Sequence, residues 1–412
     1  MGLMQVASSE RLHISFFGMR NAGKSSLVNA VTGQTLSVVS DVKGTTTDPV
    51  KKAMELLPLG PVVIIDTPGL DDEGELGQLR VQKTKQVLGQ TDIAVLVIDS
   101  SEGRCALDDE LIKEFIDRKI PYIIVYNKTD LQETKTEEEQ KKLDAASKER
   151  VLYVSALKAE GIHELKEALG FFAKEIATVK KQKVLVSDLI NAGEVVVLVT
   201  PIDESAPKGR LILPQQLTIR DILDAHGMVV TCQDTELSQT LGKLAEKPKL
   251  VITDSQVFGA VNREVQNDVM LTSFSILMAR YKGDLEELVK GASMLSKLKD
   301  SDKVLISEGC THHRQCNDIG TVKMPNWIED FTGKKLQFTF TSGGEFPEDM
   351  SEYALVVHCG GCMLNEAEMK NRILRCKEQK VPIVNYGIAI AHMHGILKRS
   401  LEPFADVLKI LK

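Results

Sequence analysis

Short apolar runs separated by polar or glycine-bearing stretches recur from one end of this chain to the other. Runs of that length bounded by turn residues read as buried strands. The first set comprises Leu12–Phe17, Val62–Ile65, Ile93–Ile98, Tyr122–Tyr126 and Val151–Val154, with a helical stretch, Ser26–Val31, close behind the first run. Polar Lys180-Lys-Gln-Lys183 then breaks the pattern. A second set follows at Val195–Val199, Met228–Cys232 and Leu250–Thr253, alternating with helical stretches around Thr218–Leu223. Beyond residue 265 come Val304–Ser307, Leu336–Phe340, Leu355–Val357 and Pro382–Asn385, with a helix expected over Met363–Glu378. Alternating strands and helices predict an α/β protein built on largely parallel sheets. At roughly 150 residues per domain, 412 residues suit two or three domains. The breaks place them at residues 1–178, 184–262 and 266–412.

The ends of the first strands carry recognisable chemistry. Leu12–Phe17 runs into Gly18-Met-Arg-Asn-Ala-Gly-Lys-Ser25 and then into a helix, the strand–loop–helix setting a phosphate-binding loop requires. Its glycines let backbone N–H groups face phosphates, so Asn21, Ala22, Gly23, Lys24, Ser25 and Ser26 are the expected nucleotide contacts. Lys24 can reach the outer phosphates, the Ser25 hydroxyl can hold Mg2+, and the helix N-terminus adds partial positive charge. Val62–Ile65 ends in Asp66-Thr-Pro-Gly69, where Asp66 can hold Mg2+ through water and the Gly69 amide can sense a γ-phosphate. Tyr122–Tyr126 delivers Asn127-Lys-Thr-Asp130. A carboxylate at Asp130 can accept from the N1 and N2 donors of guanine, which adenine does not offer, so the expected nucleotide is GTP. Asn127 and Lys128 belong to the same loop, and Ser155 and Ala156 read as its supporting turn.

Residues 11 to about 175 resemble the GTPases of the TrmE-Era type. The resemblance implies that Gly44-Thr-Thr-Thr47 is the first switch, with Thr46 a second Mg2+ ligand, and that Asn21 coordinates a K+ ion that speeds hydrolysis. Lys24, Thr46, Asp66 and Gly69 are then the hydrolytic set. Leu70 stands where Ras-like GTPases carry a water-orienting Gln, which implies slow intrinsic turnover. The acidic and basic run Glu137–Lys142 reads as a solvated helix face.

The last quarter holds Cys310, Cys316, Cys359 and Cys362, the last two in His358-Cys-Gly-Gly-Cys362 directly after an apolar strand. Parallel strands share a carboxyl edge, and ligands gather outside it. Cys310 can therefore join Cys359 and Cys362 despite the distance in sequence. Three readings stand open: a redox couple, a closed zinc site completed by His312 or His358, and a three-thiolate [4Fe-4S] cluster with one exchangeable position. Seven cysteines, an odd number, argue against a disulfide framework in a reducing compartment. Cys105, Cys232 and Cys376 read as small hydrophobes.

The arrangement Cys310-Thr-His312 with His358-Cys-Gly-Gly-Cys362, behind a GTPase set, resembles the [FeFe]-hydrogenase maturation GTPases, the HydF family. The resemblance covers nearly the whole chain. It implies a [4Fe-4S] cluster on Cys310, Cys359 and Cys362, with His312 and His358 nearby and the fourth ligand open among His312, His313, His358, a carboxylate and solvent. It also implies a dimerisation domain in the middle, a Rossmann-like cluster domain at the end, and a scaffold role. In that role a di-iron precursor forms with radical-SAM maturases and passes to apo-[FeFe]-hydrogenase. The alternative is an Era- or TrmE-like GTPase acting on RNA with a structural zinc site. A net charge of −7 is the wrong sign for phosphate-driven nucleic-acid binding, so no nucleic-acid partner is expected. No run approaches the ~18 apolar residues that span a bilayer, and the amino terminus lacks the pattern of a signal peptide, so no membrane partner and a cytoplasmic location are expected.

Overall fold

The computed structural model describes residues 7–35, 48–70, 83–131, 150–181, 183–202, 211–310 and 318–411. The chain divides into two compact units, Met1–Gln182 and Lys183–Lys412.

In the first unit β1 (Leu12–Phe17), β2 (Val50–Leu56), β3 (Gly60–Asp66), β4 (Ile93–Asp99), β5 (Tyr122–Asn127) and β6 (Val151–Tyr153) form one sheet in the order β2-β3-β1-β4-β5-β6. Every pairing is parallel except β2 with β3. β4 is buried at all seven positions, which is why it reads as an unbroken apolar run. β2, absent from the expected elements, is an edge strand with its lysines exposed; its mixed sequence Val-Lys-Lys-Ala-Met-Glu-Leu hides the strand from an apolar count. Helices Lys24–Thr32 and Ile162–Lys181 contribute to the core on one face, where Leu27, Val31, Leu165 and Leu169 pack. Phe115 from Ala106–Asp117 packs on the other with Leu70 and Phe17.

The second unit holds two four-stranded parallel sheets. One runs β10-β9-β7-β8, from β7 (Val195–Val199), β8 (Met228–Cys232), β9 (Leu250–Thr253) and β10 (Met270–Ser273). The other runs β12-β11-β13-β14, from β11 (Lys303–Glu308), β12 (Gln337–Ser342), β13 (Leu355–His358) and β14 (Ile383–Asn385). The middle sheet reaches past residue 262, because Met270 pairs in register with Leu250 on β9. Both sheets share one continuous hydrophobic core running from Leu185 to Phe404.

Backbone packing draws them together. Gly291 lies so close to β14 that an added Cβ would sit 1.9 Å from the Ile383 carbonyl oxygen. Arg399 donates to the carbonyls of Asn262, Val265 and Gln266, tying the last helices to the turn before β10. The helix expected from Met363 begins instead at Glu366, where the Asn365 side chain accepts from the Glu368 N–H and caps it.

Candidate functional site

In the first unit the expected residues meet at the carboxyl ends of β1, β3 and β5. Gly18 has φ of 138° and an added Cβ would lie 2.1 Å from the Val97 carbonyl, so only glycine lets the loop leave β1 at that point. Asn21 and Gly23 also adopt positive φ, which turns successive amides of the loop inward over the start of helix Lys24–Thr32. The Lys24 ammonium is buried and donates to the carbonyls of Gly18 and Met19, at 3.0 and 2.7 Å. Ser25 Oγ donates to Asp66 Oδ2 at 2.6 Å. Asp66 Oδ1 is buried with no hydrogen-bond partner. An uncompensated carboxylate oxygen beside a serine hydroxyl is the hard oxygen donor set that Mg2+ prefers, so these two residues fit the ion. Gly69 approaches Arg20 so tightly that a Cβ would fall 2.6 Å from the Arg20 Cα, which fixes the Asp66–Leu70 turn against the phosphate loop. Leu70 is buried in the core, so it offers no side chain to orient water.

Asn127 joins the phosphate loop to the base-reading loop. Its Nδ2 donates to the Ala22 carbonyl at 3.1 Å, and its Oδ1 accepts from the Ala156 N–H at 3.0 Å. Ser155 Oγ donates to Asp130 Oδ1 at 2.5 Å, aiming the carboxylate. Lys128, at positive φ, pairs with Asp99 Oδ2 at 2.6 Å, a contact the sequence motifs did not reveal because Asp99 ends a different strand. Lys128 and Ser101 hydrogen bonds hold the Asp99 carboxyl below its ordinary value against the opposing effect of burial. Ser26 lies in the first turn of helix Lys24–Thr32. Thr46 and the rest of Gly44–Thr47 lie outside the described residues.

In the second unit the cysteines leave neighbouring strands. Cys310 follows β11 and Cys359 follows β13, two strands paired in parallel with Ser307 opposite His358. The Cys359 N–H donates to the Ser307 carbonyl at 2.9 Å, and the Gly343 N–H after β12 donates to the Cys310 carbonyl at 3.3 Å. Cys359 Sγ accepts from the amides of Gly309 and Gly361, at 3.1 and 3.4 Å. Amides aimed at a sulfur stabilise the thiolate form and are the outer hydrogen bonds that tune metal–sulfur sites. Burial pushes the Cys359 thiol up to about 11, against those two amides, and also raises Cys362, where the Lys282 ammonium works the other way. Lys282 itself is buried and donates to the carbonyls of Cys362 and Leu364.

Soft thiol donors with amide support fit an iron–sulfur cluster or zinc in chemical type. Among the described residues, no three His, Cys, Asp or Glu side chains are placed as a metal-holding group. His312, His313 and Cys316 lie outside the described residues, as does the run Glu137–Lys142. His358 does not point its nitrogens at the cysteines. Its Nε2 lies 3.1 Å from an Arg372 N–H, which can only donate, so Nε2 accepts; Nδ1 therefore carries the proton and donates to the Cys359 carbonyl at 2.8 Å. Burial, and then the Arg372 charge, push the ring down to about 3, so it is neutral. With both nitrogens engaged in this way, His358 directs its hydrogen bonds at Arg372 and the Cys359 carbonyl and not at the thiols.

The comparisons with known proteins divide along the same lines. Residues 13–128 match a family model described as 50S ribosome-binding GTPase. The tRNA modification GTPase MnmE of Clostridioides difficile is 32% identical over 161 residues, covering 39% of this chain and 34% of that protein. MnmE of Bacillus licheniformis is 35% identical over 162 residues, covering 39% and 34%. GTPase Der of Mycoplasmopsis pulmonis is 33% identical over 188 residues, covering 43% of each. The chain thus spans about a third to two fifths of the length of these curated relatives. Residues 185–283 match the hydrogen maturase F dimerization domain, and residues 286–403 match the hydrogen maturase F tetramerization domain. With a GTPase domain in front of two maturase-specific domains that together span more than half of its length, the chain belongs to the hydrogen maturase F family.

Proposed function

We propose that this protein hydrolyses GTP and serves as a scaffold that carries a [4Fe-4S] cluster on Cys310, Cys359 and Cys362 and delivers a di-iron precursor to apo-[FeFe]-hydrogenase. The observation that carries the reading is the emergence of Cys310 and Cys359 from paired parallel strands within the maturase-specific half of the chain. Two backbone amides directed at Cys359 Sγ support thiolate ligation there. The tRNA modification GTPases share only 39% of this chain and 34% of their own length with it, so their likeness supports GTP handling and leaves RNA without support.

In the nucleotide site the phosphate loop amides and Lys24 would bind and orient the phosphates, and Ser25 and Asp66 would hold Mg2+, which would supply charge neutralisation there. Asp130 selects guanine, Asn127 couples base occupancy to the phosphate loop through Ala22, and Asn21 is the position for K+. With Leu70 buried, turnover is slow and the hydrolysis acts as a switch. In the cysteine site Cys310, Cys359 and Cys362 would hold the cluster by three thiolates, which would supply a site for the precursor. The thiols of Cys359 and Cys362 must lose protons on loading, so uptake is favoured as pH rises. The dimerization and tetramerization domain models support a dimer or a higher oligomer as the working form, and radical-SAM maturases are the proposed partners. The proposed working divisions are residues 1–178, a middle division that begins at residue 184 and takes in β10, and the remainder to residue 412.

The test is iron, sulfide and zinc analysis of anaerobically prepared protein, paired with activation of apo-hydrogenase. Iron and sulfide in near-equal amounts with activation support the proposal. Stoichiometric zinc without iron sinks it in favour of the structural-zinc alternative.

A further inference from the structure

Arg372 is a fully buried arginine, and burying a guanidinium is costly unless its donors are matched. Here they are matched in a particular way. Arg372 Nη1 donates to Ser307 Oγ at 3.3 Å, on β11, and to His358 Nε2 at 3.1 Å, on β13. Nη2 donates to the Gly343 carbonyl at 2.6 Å, just past β12. Nε is held by Glu368 one helical turn away at 2.8 Å, and the guanidinium lies over the Phe346 ring with 4.9 Å to its centroid. One side chain from helix Glu366–Glu378 therefore reaches the carboxyl ends of three adjacent strands. Those ends lead into the backbone of the cysteines: Gly343 binds the Cys310 carbonyl, Ser307 binds the Cys359 N–H, and His358 binds the Cys359 carbonyl.

We propose that Arg372 is the positioning residue of the cysteine edge: its planar fork locks the ends of β11, β12 and β13, and through His358 sets the orientation of the Cys359 peptide, so that His358 serves as a relay and not as a ligand. The geometry requires the arginine fork, since its contacts are made from three separate nitrogens, Nε, Nη1 and Nη2, where a lysine offers one. His358, by contrast, is needed only as an acceptor toward Arg372 and a donor toward Cys359, which a glutamine amide can supply. The inference rests on the cluster reading only for its spectroscopic arm.

The experiment compares the full chain as wild type, Arg372→Lys, Arg372→Met and His358→Gln, with circular dichroism and thermal melting as fold controls. In metal-free protein, the alkylation rate of Cys359 by iodoacetamide, followed by peptide mapping, is expected to rise by roughly 10-fold or more in both Arg372 variants and to stay near wild type in His358→Gln. In anaerobically loaded protein, the Arg372 variants are expected to bind iron about 10- to 100-fold more weakly against a chelator and to shift the g-values of the reduced cluster. His358→Gln keeps the wild-type spectrum. Where Arg372→Met does not fold, Glu368→Gln leaves the arginine present but less firmly aimed, and the same changes are expected at smaller size. Folded Arg372 variants with unchanged alkylation and unchanged spectra overturn the proposal. So does a wholesale change of the cluster spectrum in His358→Gln, which would make the ring a ligand. A wild type without iron but with the expected alkylation pattern overturns the cluster reading and leaves the positioning role standing.

Discussion

The phosphate loop and the cysteine edge both sit at the carboxyl ends of parallel strands, yet they are built in opposite ways. The phosphate loop is one contiguous stretch, Gly18–Ser25, shaped by its own backbone through positive φ at Gly18, Asn21 and Gly23. Its side chains make exchangeable hydrogen bonds, Lys24 to loop carbonyls and Ser25 to Asp66, which a nucleotide and Mg2+ can replace. The cysteine edge is assembled from three strand ends that are neighbours in space but scattered in sequence. It is held by a buried arginine whose hydrogen bonds are not the ligand's to displace. On the proposed reading, the site that changes with each turnover is made of local, replaceable contacts, and the site that keeps a cofactor is made of distant, buried ones.

The largest expected effect separates the two sites. Lys24→Ala removes the one cation in the phosphate loop's own helix start and should lower GTP hydrolysis by roughly 100-fold or more, while anaerobic iron content stays at the wild-type level. Loss of both functions together would show that the sites are not independent. Next, Gly291→Ala places a methyl group against the Ile383 carbonyl and should destabilise the second unit by about 2 kcal/mol, read as a shift in its denaturant midpoint with nucleotide affinity unchanged. Asp130→Asn exchanges an acceptor for a donor opposite the guanine 2-amino group, where xanthine carries a carbonyl, and should weaken GTP binding by about 10-fold while improving binding of xanthosine triphosphate, measured by titration.

The smallest effect concerns Asp188, whose carboxyl Arg280 hydrogen bonds hold below the usual range. The folded form releases its proton more readily than the unfolded chain. Its contribution is therefore present above the ordinary aspartate value of 3.8 and fades as pH falls through the lower folded one. Solvent screening at this partly exposed pair keeps the size to a few tenths of a kcal/mol. Asp188→Asn should flatten the acid side of the stability curve by that amount in denaturant titrations.

What could be read in the sequence follows the same contrast. The nucleotide site was legible because each motif is short and its spacing is fixed by local backbone geometry, as at Gly18, Asn21 and Gly23. β2 was not, since an edge strand with exposed Lys51 and Lys52 has no apolar signature. The shared carboxyl edge of β11 and β13 was legible from apolar runs ending in Cys310 and Cys359. The role of His358 was not: its place beside Cys359 suggests a ligand, and only the position of Arg372, on a helix after β13, shows where both ring nitrogens are spent. The extension of the middle sheet to β10 was hidden because Met270–Ser273 is only four residues long and half of it is polar, so it presents no apolar run. No helix among the described residues is long and apolar enough to cross a membrane.

The central claim is that Cys310, Cys359 and Cys362 share one iron–sulfur cluster. It is tested most directly by the electron paramagnetic resonance spectrum and iron and sulfide content of the anaerobically loaded, reduced full chain, compared with Cys310→Ala. The account predicts the signal of a reduced [4Fe-4S] cluster in the wild type and its loss, with most of the iron, in Cys310→Ala. A Cys310→Ala protein that keeps the wild-type spectrum and iron content would contradict it.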